Sequence, residues 1–156
     1  MRILISPFSP KIAADKPNPK DYPFWQQLID LLVEQGHQVE QISVHGEKRL
    51  ENTRQCHVSL SFENLEILLE QQDLWISVDN FFPHFIHTLQ GAIPGIVLWG
   101  QSDPLLFGYE ENYNLIKDRI HLRPSQYDVW TNTPYFTECF VQPEVVIKTI
   151  KEHCNG

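Results

Sequence analysis

Residues 74–104 constrain the fold more than any other part of this chain. An apolar run, LWISV (74–78), ends at Asp79 and Asn80, and a run with helical spacing that holds His84 follows it and closes at Gly91. A second apolar run, IPGIVLWG (93–100), then leads into the polar turn QSDP. Strand, turn, helix and strand in this order are typical of a βαβ unit, whose two strands are parallel. The stretch therefore predicts a parallel sheet that is covered by helices.

The rest of the chain continues this alternation of strands and helices. Residues 7–23 contain five prolines, a density that excludes a helix and predicts a loop. The sequence predicts further strands at 2–6 and 37–44, a possible strand at 56–60, a short strand at 120–123, and helices at 24–35, 47–55, 63–72 and 142–154. We expect one domain, residues 1–156, with a Rossmann-like α/β fold: an open, mostly parallel sheet with helices on both faces.

The charge of the chain argues against several classes of partner. The net charge is −8 at pH 7, whereas nucleic acids and anionic membranes bind positively charged surfaces. A local basic pocket for a phosphate is still compatible with this charge. No apolar run approaches the roughly 20 residues that a membrane-spanning helix needs, and the N-terminal apolar run is too short for a signal peptide. We therefore expect a cytoplasmic protein with no nucleic-acid partner and no membrane span.

The cysteines and histidines do not form a metal-binding pattern. Cys56, Cys139 and Cys154 include no CxxC pair and leave one cysteine odd, which favours reduced thiols over disulfides or a zinc site. His84 and His87 lie three residues apart on the predicted helix, a spacing that can bind metal, but the sequence suggests no third ligand. We expect His87 on the helix surface, and no metal.

Three ionisable residues follow two successive predicted strands. Ligands of open parallel sheets bind just beyond the carboxyl ends of the strands, so Asp79, His84 and Asp103 are expected to meet there. The helix start after Asp79 also offers backbone N–H groups to a phosphate, to which His84 could add a hydrogen bond. Each aspartate has a structural alternative: Asp79 or Asn80 could cap the helix, and Asp103 could be a turn residue.

The second predicted strand ends at a similar polar turn. Glu47 follows Gly46 there, and in doubly wound folds an acidic residue at this place accepts hydrogen bonds from ribose hydroxyls; a plain turn is the alternative. The chain lacks GxGxxG after its first strand, and it lacks GxxxxGK[ST] and GxSxG. These absences argue against a dinucleotide dehydrogenase, a P-loop NTPase and a nucleophile elbow.

Two motifs together resemble the ADP-heptose:lipopolysaccharide heptosyltransferase family. They are D-x-x-x-x-H at Asp79–His84 and, after a buried strand, G-x-[ST]-D-P at Gly100–Pro104. The opening ILISPFS, the lysine-rich loop and the aromatic-led helix are similar to the start of that family's second domain, and Gly46-Glu47 falls in its G-x-x-E region. The resemblance covers residues 2–108 and, more faintly, 139–146.

The resemblance implies the donor-binding, C-terminal half of a two-domain GT-B glycosyltransferase. In that family this half binds a nucleotide-diphosphate sugar, and the other half binds the acceptor and supplies the base. The donor is then a substrate, and no cofactor is implied. The substrate-binding residues implied for this chain are Ser9, Lys16 or Lys20 at the phosphates, Gly46 and Glu47 at the ribose, Asp79, Asn80 and His84 at the diphosphate and sugar, and Gly100 and Asp103 in the second motif.

Two departures from the family pattern leave two hypotheses open. Phe81 stands where the family has glycine, Asn80 replaces a hydroxyl residue, and no residue matches the family's base, so no catalytic residue is assigned. One hypothesis is a glycosyltransferase that needs a partner chain or a second copy of itself for the acceptor site. The other is a non-catalytic module that binds a nucleotide or nucleotide-sugar in assembly or regulation.

Overall fold

Six parallel strands form the centre of the computed structural model, which describes residues 1–12 and 16–154. Residues 13–15 of the predicted proline-rich loop, and residues 155–156, lie outside the described part. Each pair of neighbouring strands is parallel, in the order β3-β2-β1-β4-β5-β6. The strands are β1 Arg2–Ser6, β2 Gln38–Ser43, β3 Gln55–Val58, β4 Leu74–Val78, β5 Ile96–Trp99 and β6 Tyr113–Ile116. This order is that of the doubly wound nucleotide-binding fold, and the predicted fold class is confirmed.

Helices cover both faces of the sheet because its strands are apolar on both sides. Ile3 and Ile5 of β1 face one core and Leu4 faces the other, as the alternation of a strand requires. The first core contains residues of α1 and α5, and the second contains residues of α2 and α3. The helices are α1 Trp25–Glu34, α2 Phe62–Leu69, α3 Phe81–His87, α4 Pro104–Phe107 and α5 Pro143–Thr149, which continues in a π-helical turn, Ile150–Cys154.

Two sequence predictions are wrong in this fold. Residues 47–54 are not a helix, because buried Gln41 of β2 accepts the Leu50 N–H at 2.9 Å and holds the segment as a loop. The short strand expected at 120–123 is instead a 3₁₀ turn that Asp118 caps, and the sixth strand lies earlier, at Tyr113–Ile116. In addition, α3 ends at His87 and does not reach Gly91, which has a positive φ of 73°.

The strand order reverses between β1 and β4. Chain connections leave these two neighbouring strands toward opposite sides, so a crevice opens beyond their carboxyl ends, at Ser6 and Val78. This is the place where the sequence predicted a ligand site. Within residues 1–12 and 16–154, no helix is long and apolar enough to cross a membrane.

Candidate functional site

Two neighbouring clefts open along the carboxyl edge of the sheet. The first, here called the apolar cleft, has a volume of about 150 Å³ and lies over the ends of β1, β2 and β3. The second, here called the basic cleft, is a more open cleft of about 400 Å³ beside the β1–β4 reversal. Pro10 and Phe81 line both clefts, so the two clefts adjoin at these side chains, and together they are called the groove.

An ion pair at the end of β4 marks the floor of the basic cleft. Asp79 is 6% exposed, and its Oδ2 lies 2.8 Å from Lys20 Nζ and accepts the Ser102 hydroxyl at 2.6 Å. Lys20 therefore is the loop lysine that reaches this edge, whereas Lys16 is exposed and lines neither cleft as far as the structure describes them. Ser102, in the turn after β5, is a contact that the sequence reasoning missed.

Aromatic stacking holds two cations beside this carboxylate. Lys20 Nζ lies 5.0 Å from the centre of the Trp130 ring, and the Arg123 guanidinium carbon lies 3.6 Å from it, both within cation–π distance. Arg123 is 8% exposed, and burial lowers its pKa from the usual range while Asp79 and Asp128 oppose this shift. Lys11 lines the same cleft. Of the described residues that line this cleft, Lys11 and Lys20 are the cations and Asp79 is the carboxylate, which makes the cleft locally positive in an acidic chain.

Asn80 and Ser9 build the wall between β1 and β4. The Asn80 side chain accepts the Phe82 N–H at 2.9 Å as the cap of α3, and its amide donates to Ser6 Oγ at 2.9 Å and to the Phe8 carbonyl at 3.0 Å. The Ser9 hydroxyl donates to the Asp79 carbonyl at 3.0 Å. These side chains line the basic cleft, but their polar atoms are bound to the protein itself.

The first turn of α3 offers a ligand few free amides. The Phe82 N–H already donates to Asn80, and Pro83 has no N–H to donate. Side-chain cations are thus the donors that this cleft presents to an anion, in contrast to the helix-start amides that the sequence suggested. The helix itself has only seven residues.

His84 lines the basic cleft from the same helix. Its Nδ1 lies 2.8 Å from the Tyr109 hydroxyl, and His87 stacks on the Tyr109 ring with centroids 3.8 Å apart. His87 Nδ1 also lies 2.5 Å from Glu111, so both histidines contact Tyr109 in the loop before β6, and His87 contacts Glu111 as well. Within the described residues, no group of three His, Cys, Asp or Glu side chains could hold a metal ion.

The apolar cleft is lined mostly by hydrophobic side chains, with a few polar groups among them. Phe8, Ile42, Leu60 and Leu65 are hydrophobic lining residues, and Glu47, Ser43 and His57 are polar ones. The Glu47 carboxylate accepts the Val44 N–H at 2.9 Å, and burial raises its pKa. Gly46, just before it, takes a positive φ of 89° in the turn and has no side chain to offer the cleft.

A partly buried aspartate that the sequence reasoning missed supports the loop that carries Ser9. Asp21 Oδ1 accepts the Ser9 N–H at 2.8 Å. Burial raises the pKa of Asp21 to about 6, and the charge of Glu47 adds to the rise. No local sequence signal distinguishes Asp21, because it lies in the proline-rich loop and meets Ser9 only through the fold.

The second motif lies outside both clefts, in the part of the chain that the structure describes. The Asp103 side chain caps α4 by accepting the Leu105 N–H at 2.9 Å, and Arg119 binds both of its oxygens, at 2.9 and 2.7 Å. Arg119 thereby lowers the pKa of Asp103. Gly100 packs against Phe140, whose ring would lie 2.6 Å from any added Cβ. Both residues have structural contacts here, and their role at a ligand stays a prediction.

The backbone around Phe81 is that of an ordinary capped helix start. Asn80 caps α3, and Phe81 is its first residue. The Phe81 side chain is 47% exposed and points into the groove, where it lines both clefts. The Phe81 side chain therefore fills space in the groove.

No family model and no curated protein matches the sequence of this chain. Its fold, however, is similar to that of solved structures. The structure of Escherichia coli ADP-heptose LPS heptosyltransferase II superposes on 97% of this chain with a TM-score of 0.62 and 15% identity. The chain covers 45% of that protein, less than half its length. The structure of E. coli heptosyltransferase WaaC with ADP matches 66% of this chain over 34% of the length of WaaC, with 20% identity and a TM-score of 0.45. The chain thus has a heptosyltransferase-like fold of the GT-B glycosyltransferase type.

Proposed function

We propose that this chain binds a nucleotide-diphosphate sugar across the two clefts and takes part in transferring its sugar. The observation that carries the proposal is the pairing of two clefts at the carboxyl edge of the sheet: a mostly apolar one that Glu47 also lines, beside one that Lys11 and Lys20 line. A nucleoside has an apolar base and ribose hydroxyls, and a diphosphate is an anion. The groove offers each part its chemical complement.

The cations of the basic cleft suit the chemistry of such a transfer. When the bond from the sugar to the diphosphate breaks, negative charge grows on the departing nucleoside diphosphate, and fixed cations stabilise it. Lys20 is held in position by Asp79 and Trp130, and Arg123 is held behind the same ring. The acceptor oxygen forms the new bond to the sugar and gives its proton to a base.

We assign that base and the acceptor site to a partner chain or to a second copy. Asp79 is engaged by Lys20 and Ser102, so it is better suited to holding the lysine than to removing a proton. The neighbour with the same fold extends well beyond the part that this chain matches. We further place the activity in the cytoplasm, where the three free thiols would stay reduced.

A non-catalytic nucleotide-binding module is the second candidate. The ion pair of Asp79 with Lys20 favours it, since a carboxylate that is paired with a lysine holds that lysine in the cleft and takes no part in a reaction. The two candidates share the groove and its ligand. Assays of sugar release, with the chain alone and with any co-purified partner, separate them: release above background supports the transferase, and binding without release supports the module.

Thermal unfolding with a ligand panel tests the site that both candidates need. The panel is ADP, GDP, UDP, CDP and dTDP, each with a corresponding sugar conjugate, at millimolar concentration. A ligand at ten times its Kd adds about 1.4 kcal/mol to the free energy of unfolding, a measurable rise in Tm. We expect at least one nucleotide to raise Tm; no shift with any member would overturn both candidates.

A further inference from the structure

Phe81 is an exposed aromatic side chain at the place where the two clefts of the groove adjoin. Its ring is 47% exposed, whereas its neighbour Phe82 is fully buried and packs against Trp75. The two clefts meet at Phe81 and Pro10. A ligand that occupies both clefts must therefore pass over the Phe81 ring.

The size of the apolar cleft limits what can lie against this ring. Its volume of about 150 Å³ is below the roughly 300–1,000 Å³ of pockets that enclose a whole drug-sized ligand. The cleft thus takes one part of the ligand, and its hydrophobic lining suits a flat heterocycle. Glu47 also lines this cleft, and its carboxylate can accept hydrogen bonds from hydroxyls beside that heterocycle.

We propose that Phe81 is the base-stacking wall of the groove, so that the heterocyclic base of the ligand lies against its ring. This inference rests on the proposed function. Aromatic rings stack on any base, since every base has a π face, and stacking one base strengthens binding by about 5- to 150-fold. Covering the exposed ring also removes apolar surface from water. Phe81 then selects for a base in the apolar cleft and leaves the phosphates to the basic cleft.

Phe62 is a matched control for Phe81. Each is the first residue of its helix, and both helices pack on the same face of the sheet. Both side chains are exposed, Phe62 at 65% and Phe81 at 47%. Ser61 caps α2 as Asn80 caps α3. Phe62 stacks on Phe85 and lines neither cleft in the described part of the chain.

Calorimetric titration of four proteins separates stacking from other roles. The proteins are wild type, Phe81→Ala, Phe81→Leu and Phe62→Ala, and the ligands are the five nucleoside diphosphates, their nucleosides and inorganic pyrophosphate. We expect Phe81→Ala to weaken every nucleoside and nucleoside diphosphate that binds by about tenfold, within the stacking range, and to leave pyrophosphate unchanged. Phe81→Leu, which keeps apolar volume without a π face, should lose nearly as much, and Phe62→Ala should bind as wild type does.

Several results would overturn the inference while leaving the proposed function standing. In each case the wild type binds nucleotides. The inference fails if Phe81→Ala binds them as tightly or more tightly, or if Phe81→Leu binds them as the wild type does. It also fails if Phe81→Ala weakens pyrophosphate binding as much as nucleotide binding. A wild-type protein that binds no nucleotide would overturn both. Because Phe81 is exposed, the variants should fold; if Phe81→Ala does not, Phe81→Leu alone decides the outcome.

Discussion

Two strand-to-helix connections at the carboxyl edge of the sheet each carry an aspartate, but their carboxylates have different partners. After β4, the helix cap is Asn80, so the Asp79 carboxylate is left to bind Lys20 and Ser102 beside the basic cleft. After β5, Asp103 is itself the cap, and Arg119 takes its remaining bonding capacity. Asp79 precedes the capping residue of its helix by one position, whereas Asp103 is the capping residue. The first aspartate therefore faces a cleft, and the second stabilises a turn.

The largest expected effect on the difference between the two connections comes from replacing Asn80. Replacing Asn80 by Ala removes the cap of α3 and leaves the bonds to Ser6 and Phe8 unmade. A lost cap costs about 1 kcal/mol and a buried unpaired group a further 1–3, so we expect a loss of about 3 kcal/mol in urea unfolding. The control is Ser61→Ala, which removes only the cap of α2; an equal loss in both variants would show that Asn80 is no more than a cap.

A smaller stability loss is expected at Asp103. Asp103→Ala removes the cap of α4 and should cost about 1–2 kcal/mol at pH 7, without changing nucleotide affinity. Because Arg119 lowers the pKa of Asp103, its stabilisation is present above the ordinary value of 3.8 and is lost as the pH falls through the folded pKa. The cost of the substitution should therefore shrink toward pH 3. A cost independent of pH, or a loss of nucleotide affinity, would contradict this assignment.

The smallest expected effect has the opposite sign and lies at Asp21. Its folded pKa of about 6 exceeds the ordinary 3.8, so its protonation stabilises the fold at low pH, and this contribution is lost as the pH rises from 3.8 to about 6. Asp21→Asn keeps an acceptor for the Ser9 N–H and should raise stability at pH 7.5 by on the order of 1 kcal/mol, allowing for partial solvent screening. Urea unfolding at pH 7.5 and pH 4 measures this; the same difference at both values would reject charge burial as its cause.

Much of the fold could be predicted because apolar runs mark strands that are buried on both faces. LWISV is completely buried in β4, and such runs have few alternatives in an α/β chain. The errors lie where tertiary contacts override local preference. The segment after β2 is polar and helix-compatible, but the Gln41 side chain binds its backbone. β6 is half-buried at the sheet edge and lacks the signal of a buried run.

The site was predicted in position but only in part in its residues. The rule that ligands bind beyond parallel strand ends locates Asp79, because its strand is recognisable. It does not tell which lysine of a proline-rich loop returns to that edge, since this depends on the path of the loop. The rule also does not predict Trp130 and Arg123. They lie in an irregular segment far along the chain and meet Lys20 only through packing.

One titration tests the central claim, that the cleft beside Asp79 is a ligand site and the Asp103 cluster is not. It compares the wild type, Lys20→Ala and Arg119→Ala with the tightest-binding nucleoside diphosphate of the panel at fixed ionic strength. Each variant removes the cation that pairs with one of the two aspartates. We expect Lys20→Ala to weaken binding at least tenfold, in line with the loss of a charge-assisted contact to phosphate, and Arg119→Ala to leave Kd unchanged. Equal affinities for all three proteins, or a larger loss in Arg119→Ala, would contradict the account.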